Sequence, residues 1–415
     1  MEKLNLRLNS IDERLFAPST ENDETIGSGA NKISRNKIIA SGRACLADYI
    51  GSALAERSTG YQSKIKSIGG SYKALSKAHS EQKLLFCAAR AYAAIGKSAP
   101  ENIEQVRNDQ SLYKSEIFRA TLAAIDMEVI DPMLYDVFTD LGGSMLSMES
   151  KPLGRTREIV VRSNEVFMWE DSSWGSGHST TKNYLYADTI TMNHRPFTSN
   201  GTIKWFQMIA ADEGMDAGWY YTALMRGLWS KITALYTGAL TDTAALARYV
   251  PSYLKFTSYS SANWAKAVEA CAVASGVDIS DLMAFGQLTA LKAVVPNGTT
   301  SDTALTFGLG SEWMKNGFLS MVDTVPLFRV SPALVPGTAN TSGQMFGLKD
   351  NIFITSRAGE SYAPVYVLFA EGTPITIEYT PSTTANYVID INMTAMMDVK
   401  AIFGGRTAVI QNVTI

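Results

Sequence analysis

The residues that could carry chemistry are few and scattered. Histidine stands at His79, His178 and His194, and cysteine at Cys45, Cys87 and Cys271. None of the six has a second histidine or cysteine at the short spacing that a zinc knuckle or a helical metal pair requires. Three distant cysteines cannot all pair, which excludes a disulfide framework and fits free thiols in a reducing compartment. No Gly-X-Ser-X-Gly elbow presents an acyl-transfer serine, and Gly308-Leu309-Gly310 lacks the third glycine of a dinucleotide fingerprint. Among 40 acidic residues no carboxylate pair is singled out for glycosidic chemistry. These residues predict no catalytic, cofactor-binding or metal-binding site.

Ala91 to Ser98, ending Gly96-Lys97-Ser98, fits the loosest form of a phosphate-binding loop. Its context argues against that chemistry: Leu84 to Ala94 is alanine-rich and helical in pattern, the loop lacks interior glycine, and Pro100 follows closely. Gly96 is better read as a helix C-cap with Lys97 near the negative end of the dipole.

A net charge of −3 excludes the strongly basic surface of an autonomous nucleic-acid binder. One basic run survives locally. Arg57, Lys64, Lys66, Lys73, Lys77, Lys83, Arg90 and Lys97 face the single acid Glu81. Lys73 and Lys77 stand one helical turn apart, so part of this charge lines one face. It is either a solvated helix surface or a sequence-independent contact with nucleic-acid phosphate.

The elements that must position these groups change character along the chain. With 415 residues, two or three structural units are expected, since single cores stop growing near roughly 250–300 residues. Met1 to Ser10 alternates charged and apolar residues and predicts no secretion signal. Residues 1–35 are polar and read as an extended arm. Residues 36–150 are alanine-rich and helical, with Phe118, Leu122, Ile125 and Val129 forming one apolar stripe. Asp131-Pro132 predicts a break there, Asp131 as N-cap and Pro132 as the first residue of a second helix.

Near Leu153 the pattern turns to alternating β-branched residues, as in Arg157 to Val161 and Thr189 to Met192. Between them lies the small polar stretch Asp171 to Ser179. Residues 155–207 therefore predict a long two-stranded excursion, which is marginal alone and needs a neighbouring subunit to lean on. The strongest helix follows at about 212–237, roughly 35 Å long, with Tyr221, Leu224, Leu228, Ile232 and Leu235 sharing a face. Arg226 and Lys231 inside this apolar stretch exclude a membrane span. Ser261 to Ala274 predicts a shorter helix stopped by Gly276, and the remainder to Ile415 is mostly strand, giving an α+β class.

This order of arm, hairpin, long helix, mixed domain and returning strand resembles the major capsid protein of tailed phages, the Hong Kong 97 fold. Local sequence adds to it. Ser280 to Lys292 is similar to the family's strand-then-helix stretch in the axial domain, and Thr324 to Val330 to its apolar strand before a Pro/Gly-rich loop. Asn351 to Ile354, Glu371 to Ile375 and Phe403 to Val409 resemble its closing strands. The matches cover about residues 150–415, and the helical stretch 36–110 departs from the minimal pattern.

The resemblance implies an arm (1–35), a helical region (36–150), an extended hairpin loop (151–210), a spine helix and peripheral domain (211–255), an axial domain (256–385) and closing peripheral strands (386–415). It implies a self-assembling icosahedral shell of hexamers and pentamers enclosing double-stranded DNA, located in the virion and assembled in the host cytoplasm. Portal protein, and scaffolding or decoration proteins, would be its partners, with no membrane and no cofactor. A chain that opens on Met1 is expected not to have been trimmed by a maturation protease. The hairpin tip would place Trp169, Trp174, His178 and Lys182 over a neighbouring subunit. Lys182 is the residue through which the family's covalent cross-linking could run. Lys73, Lys77 and Lys83 are the expected DNA-facing residues. An encapsulin-like cargo compartment of the same fold stays open as an alternative. So does a glycan-active enzyme working through Trp169 and Trp174.

Overall fold

The computed structural model describes residues 24–26, 33–50, 72–142, 145–162, 187–205, 217–294, 318–330, 332–336, 338, 342–356, 363–372, 374–383, 387–403 and 406–413. After the short antiparallel pair Thr25–Ile26 and Ile33–Ser34 come helices α1 (Arg35–Ile50), α2 (Tyr72–Ala94), α3 (Ile103–Asn108) and α4 (Glu116–Gly142). Strands β1 (Leu146–Lys151), β2 (Arg157–Arg162), β3 (Ala187–Met192) and β4 (Arg195–Lys204) lead to helices α5 (Ala217–Leu240), α6 (Thr243–Tyr249) and α7 (Ser261–Ser275). Then come β5 (Leu282–Gly286), α8 (Leu288–Val294), β6 (Phe318–Val322), β7 (Val325–Arg329), β8 (Ile352–Ser356), β9 (Val365–Ala370), β10 (Ile375–Pro381), β11 (Val388–Ala401) and β12 (Ala408–Ile410). The class is α+β, with helices concentrated before β1 and strands after α8. Two compact units share these elements: residues 1–136, 198–225 and 375–395 form the first, the rest the second.

The first unit is helical around one apolar stripe. Phe118, Leu122, Ile125 and Val129 of α4 are all buried, as the period of the sequence predicts, alongside Leu84, Phe86 and Cys87 of α2. Helix α1 closes onto both at Gly42, where an added Cβ would lie 2.8 Å from His79 Cε1 and 2.9 Å from Val129 Cγ2. Only glycine fits that approach. Gly96 has φ +71° past the end of α2, and the Lys97 amide donates to the Tyr92 carbonyl at 2.9 Å, a helix C-cap rather than a phosphate cradle. Strand β10 pairs antiparallel with the first half of β11, Ile375 opposite Ala395 through Pro381 opposite Ile389.

One expectation fails in this unit. Helix α4 runs without interruption through Asp131-Pro132, where the sequence predicts a break. Pro132 has no N–H, so the carbonyl of Glu128, four residues earlier, loses its ladder donor. The guanidinium of Arg43 on α1 replaces it, Nη2 donating to Glu128 O at 2.7 Å. A donor remote in sequence satisfies the group that would otherwise end the helix.

In the second unit, β9 pairs antiparallel with the second half of β11 and parallel with β1. A separate six-stranded sheet has the order Lys255–Phe256, β12, β8, β5, β7, β6. Helix α7 covers it with Trp264, Ala267, Val268 and Cys271 buried. Ser260 caps that helix on the Asn263 amide, and Gly276 ends it at φ 64°. The predicted strand-then-helix at Ser280 to Lys292 is β5 followed by α8, and β5 is buried throughout. Strands β9 and β10 lie with β11, and β12 joins the six-stranded sheet, so strand pairing divides the chain differently from the order of the sequence.

Helix α5 buries Leu228, Ile232, Tyr236 and Leu240. The buried line runs through Tyr236, while Leu235 is only half-buried. The side chains of Tyr221 and Leu224 lie outside the described residues.

Candidate functional site: the root of a two-stranded ribbon

Strands β2 and β3 form a two-stranded antiparallel ribbon, Arg157 opposite Met192, Ile159 opposite Ile190 and Arg162 opposite Ala187. Alternation gives each strand two different faces. Ile159 is buried whereas its neighbour Val160 is 55% exposed. The buried face is short: Ile159 and Met192, with Ile190 beside them, pack on Tyr366, Leu368, Ala363 and Ile402. Beyond this apolar root, β2 and β3 pair only with each other among the described residues.

Polar contacts fix the root to three strands. Arg157 Nε lies 2.6 Å from Glu149 Oε2, its Nη2 donates to Ser147 Oγ at 3.2 Å, and its guanidinium sits 4.9 Å over the ring of Tyr366. One planar cation thus engages β1 twice and β9 once, a geometry suited to guanidinium rather than ammonium. From β11, Lys400 Nζ donates to Thr191 O at 2.6 Å. Asp398 is buried; its Oδ2 accepts from the Asn193 amide at 3.3 Å and its Oδ1 from the Val399 amide at 3.1 Å, with Arg195 Nε 3.6 Å from that same Oδ1. His194 Nε2 lies 2.9 Å from the carbonyl of Phe369. His194 therefore serves the root of the ribbon.

Strand β4 leaves the ribbon and pairs with β11, so the excursion is shorter at its return end than residues 155–207 imply. The predicted tip residues Trp169, Trp174, His178 and Lys182 lie outside the described residues. Among the described residues no three His, Cys, Asp or Glu side chains converge as a metal site, and no helix is long and apolar enough to cross a membrane.

Of the basic run, the structure describes the side chains of Lys83, Arg90 and Lys97. Lys83 is a correction: its side chain is buried in the first unit, Nζ 2.9 Å from Asp126 Oδ1. Tyr379 of β10 donates its hydroxyl to Asp126 Oδ2. Lys83 cannot face DNA, because a desolvated ammonium held by its own chain's carboxylate has no surface to offer. Arg90 is half-exposed and paired with Glu24 at 3.2 Å, and Lys97 lies 5.5 Å over the ring of Tyr92. The side chains of Lys73 and Lys77, in the first turns of α2, lie outside the described residues. His79, one turn before Lys83, is buried with Nδ1 2.8 Å from Ser41 Oγ, and burial together with the charge of Lys83 pushes it down to about 3.

The β11 side of the root clamp is not legible in local sequence because its partners are far apart: Asn193 meets Asp398 across 205 residues, and Thr191 meets Lys400 across 209. The charged positions Asp398 and Lys400, among Ala395, Met396, Met397, Val399 and Ala401 in the second half of β11, are the one available signal.

No protein-family model and no curated protein matches the sequence. Among solved structures the chain is similar to the mature capsid of bacteriophage PhiM1, with 11% identity, 65% of this chain and 85% of that chain covered, and a TM-score of 0.39. It is similar to the head of Helicobacter pylori bacteriophage KHP40, with 8% identity, 66% and 90% covered, and a TM-score of 0.42. A virus-like particle from Pyrococcus furiosus is similar at 8% identity, 68% and 96% covered, and a TM-score of 0.37. No residue correspondence follows at these identities, so no role is carried across.

Proposed function

We propose that the chain is a shell subunit, the major capsid protein of a tailed phage with the Hong Kong 97 arrangement. The observation that carries this reading is the ribbon β2–β3, clamped at its root by Arg157, Asp398 and Lys400 and paired beyond it only with itself among the described residues. A two-stranded ribbon is marginal in water, and a rigid root is of use when the ribbon rests on another subunit. The order of elements supports the same reading: helical region, ribbon, α5 as spine, and a six-stranded sheet closed by β12 near the end of the described chain.

In this reading the tip around Trp169, Trp174, His178 and Lys182 lies over a neighbouring copy, and the copies form hexamers and pentamers. Strand pairing favours other bounds than the expected axial domain 256–385 and closing peripheral strands 386–415: the axial domain is built on the six-stranded sheet, which takes in β12, and the peripheral domain on β1, β9, β10 and β11. Portal protein and scaffolding or decoration proteins complete the particle in the host cytoplasm. Lys73 and Lys77 meet packaged double-stranded DNA without reading its sequence. Replacing both by glutamine then flattens the salt dependence of duplex binding, with a slope change of about 0.9 for each phosphate that a lysine no longer neutralises.

Negative-stain microscopy of the concentrated protein tests the proposal. Closed polyhedral shells or their capsomers are expected, and a discrete monomer at every concentration overturns it. Duplex DNA inside the particles separates a capsid from a cargo compartment.

A further inference from the structure

Helix α4 carries two incompatible instructions. Asp131-Pro132 is the signature of a helix start, a carboxylate N-cap followed by proline at the first helical position. Yet α4 is continuous from Glu116 to Gly142. What overrides the local signal is α1. Arg35 and Arg43, two turns apart on that helix, both reach Glu128: Arg35 pairs with its carboxylate, and Arg43 Nη2 donates at 2.7 Å to the carbonyl that Pro132 strips of its ladder donor. Gly42 permits the close approach, since any Cβ there would meet His79 and Val129.

The continuous helix leaves a residual cost at the same place. Asp131 Oδ1 is buried and meets no donor among the described residues, and Arg43 Nε is buried without an acceptor. Burial pushes the Asp131 carboxyl up to about 6 against the pull of Arg43. If α4 broke at the proline, the Asp131 carboxylate could cap the free amides of Met133 and Leu134, as the signature requires. Each arrangement satisfies what the other leaves unpaired, which is the condition for a two-state element.

We propose that α1 is a releasable strap on α4: with Arg43 on the Glu128 carbonyl the helix is one rod, and with the strap withdrawn it breaks at Pro132 into two helices, the second capped by Asp131. The inference does not depend on the capsid reading. It gives the helical region a part that moves without rearranging the apolar stripe from Phe118 to Val129.

Amide hydrogen exchange on the full chain tests this. Arg43→Met removes the donor and keeps an apolar stem, and is expected to speed exchange at Met133 and Leu134, whose ladder bonds to Val129 and Ile130 the break removes, by about tenfold or more, with Tyr135 as the unchanged control. Pro132→Ala restores the missing N–H. In that background Arg43→Met is expected to change the same amides by less than about twofold, a coupling read as in a double-mutant cycle. Unchanged exchange in Arg43→Met, or an equal effect with and without the proline, overturns the proposal. Should Arg43→Met fail to fold, rescue by Pro132→Ala supports the strap and failure to rescue overturns it.

Discussion

Lys83 of α2 and Asp126 of α4 form an ion pair at 2.9 Å with both side chains withdrawn from water, 5% and 1% exposed. The pair joins the two helices, and the Tyr379 hydroxyl on Asp126 adds β10 to the same carboxylate. Removing one partner leaves a buried charge uncompensated. Lys83→Ala is therefore expected to lower stability by about 3–5 kcal/mol in denaturant unfolding. Lys83→Met combined with Asp126→Leu and with Tyr379→Phe, which removes the hydroxyl that Asp126 accepts, is expected to recover most of that loss. An unchanged midpoint in Lys83→Ala would show that the lysine is solvated.

Arg157 bridges Glu149, Ser147 and the Tyr366 ring at the ribbon root. Arg157→Ala is expected to cost about 1.5–3 kcal/mol through its charge-assisted hydrogen bonds. Arg157→Lys should not restore it, because an ammonium cannot bridge two oxygens and stack on a ring together. Thermal unfolding gives the stability, and light scattering gives the loss of assembly that the proposed shell role requires. Deleting 171–180 should abolish assembly while leaving a folded subunit; normal particles from that deletion refute the role given to the tip.

Leu228 and Ile232 lie on the buried line of α5. Truncating Leu228 to alanine is expected to cost about 2–5 kcal/mol, as for other buried leucines. A midpoint equal to that of the parent protein would place Leu228 on a solvated face.

His79 makes stability depend on pH. Its folded value is pushed down to about 3 from the ordinary 6.5, so the unfolded chain binds the extra proton between those values. Stability is then fully present above about 6.5 and declines as pH falls toward 3, by at most about 1.4 kcal/mol per unit. Asp131 opposes it: its carboxyl is raised to about 6, so the folded state gains a proton first and is favoured as pH falls from 6 toward 3.8. His79→Gln should flatten the acid limb, and Asp131→Asn should steepen it, in unfolding midpoints from pH 7 to pH 4.

Cys87 and Cys271 are free and buried. Burial raises both thiols, Cys271 to about 11 even with the Ala408 backbone and the Ser275 side chain favouring its thiolate, and so keeps them from the reactive form. Labelling of these two by a thiol reagent is expected only on unfolding. Intact mass without reductant should show no disulfide, and a covalent ladder on a denaturing gel contradicts this.

The sequence by itself determined the elements whose signals are local. The apolar stripe of α4, the Gly276 stop of α7 and the strands at Arg157 and Thr189 are legible because period, capping chemistry and β-branching act within a few residues. Tertiary structure decided everything that depends on a partner from elsewhere in the chain. Lys83 reads as one more cation of a basic run until Asp126 and Tyr379 are seen beside it. Asp131-Pro132 reads as a helix start until Arg43 supplies the donor that the proline lacks. The clamp at the ribbon root joins residues some two hundred positions apart, and strand order within each sheet follows from long-range pairing that no local pattern contains. Local preference sets the conformation of a segment, but satisfying its remaining charges and backbone groups requires neighbours that only folding brings near.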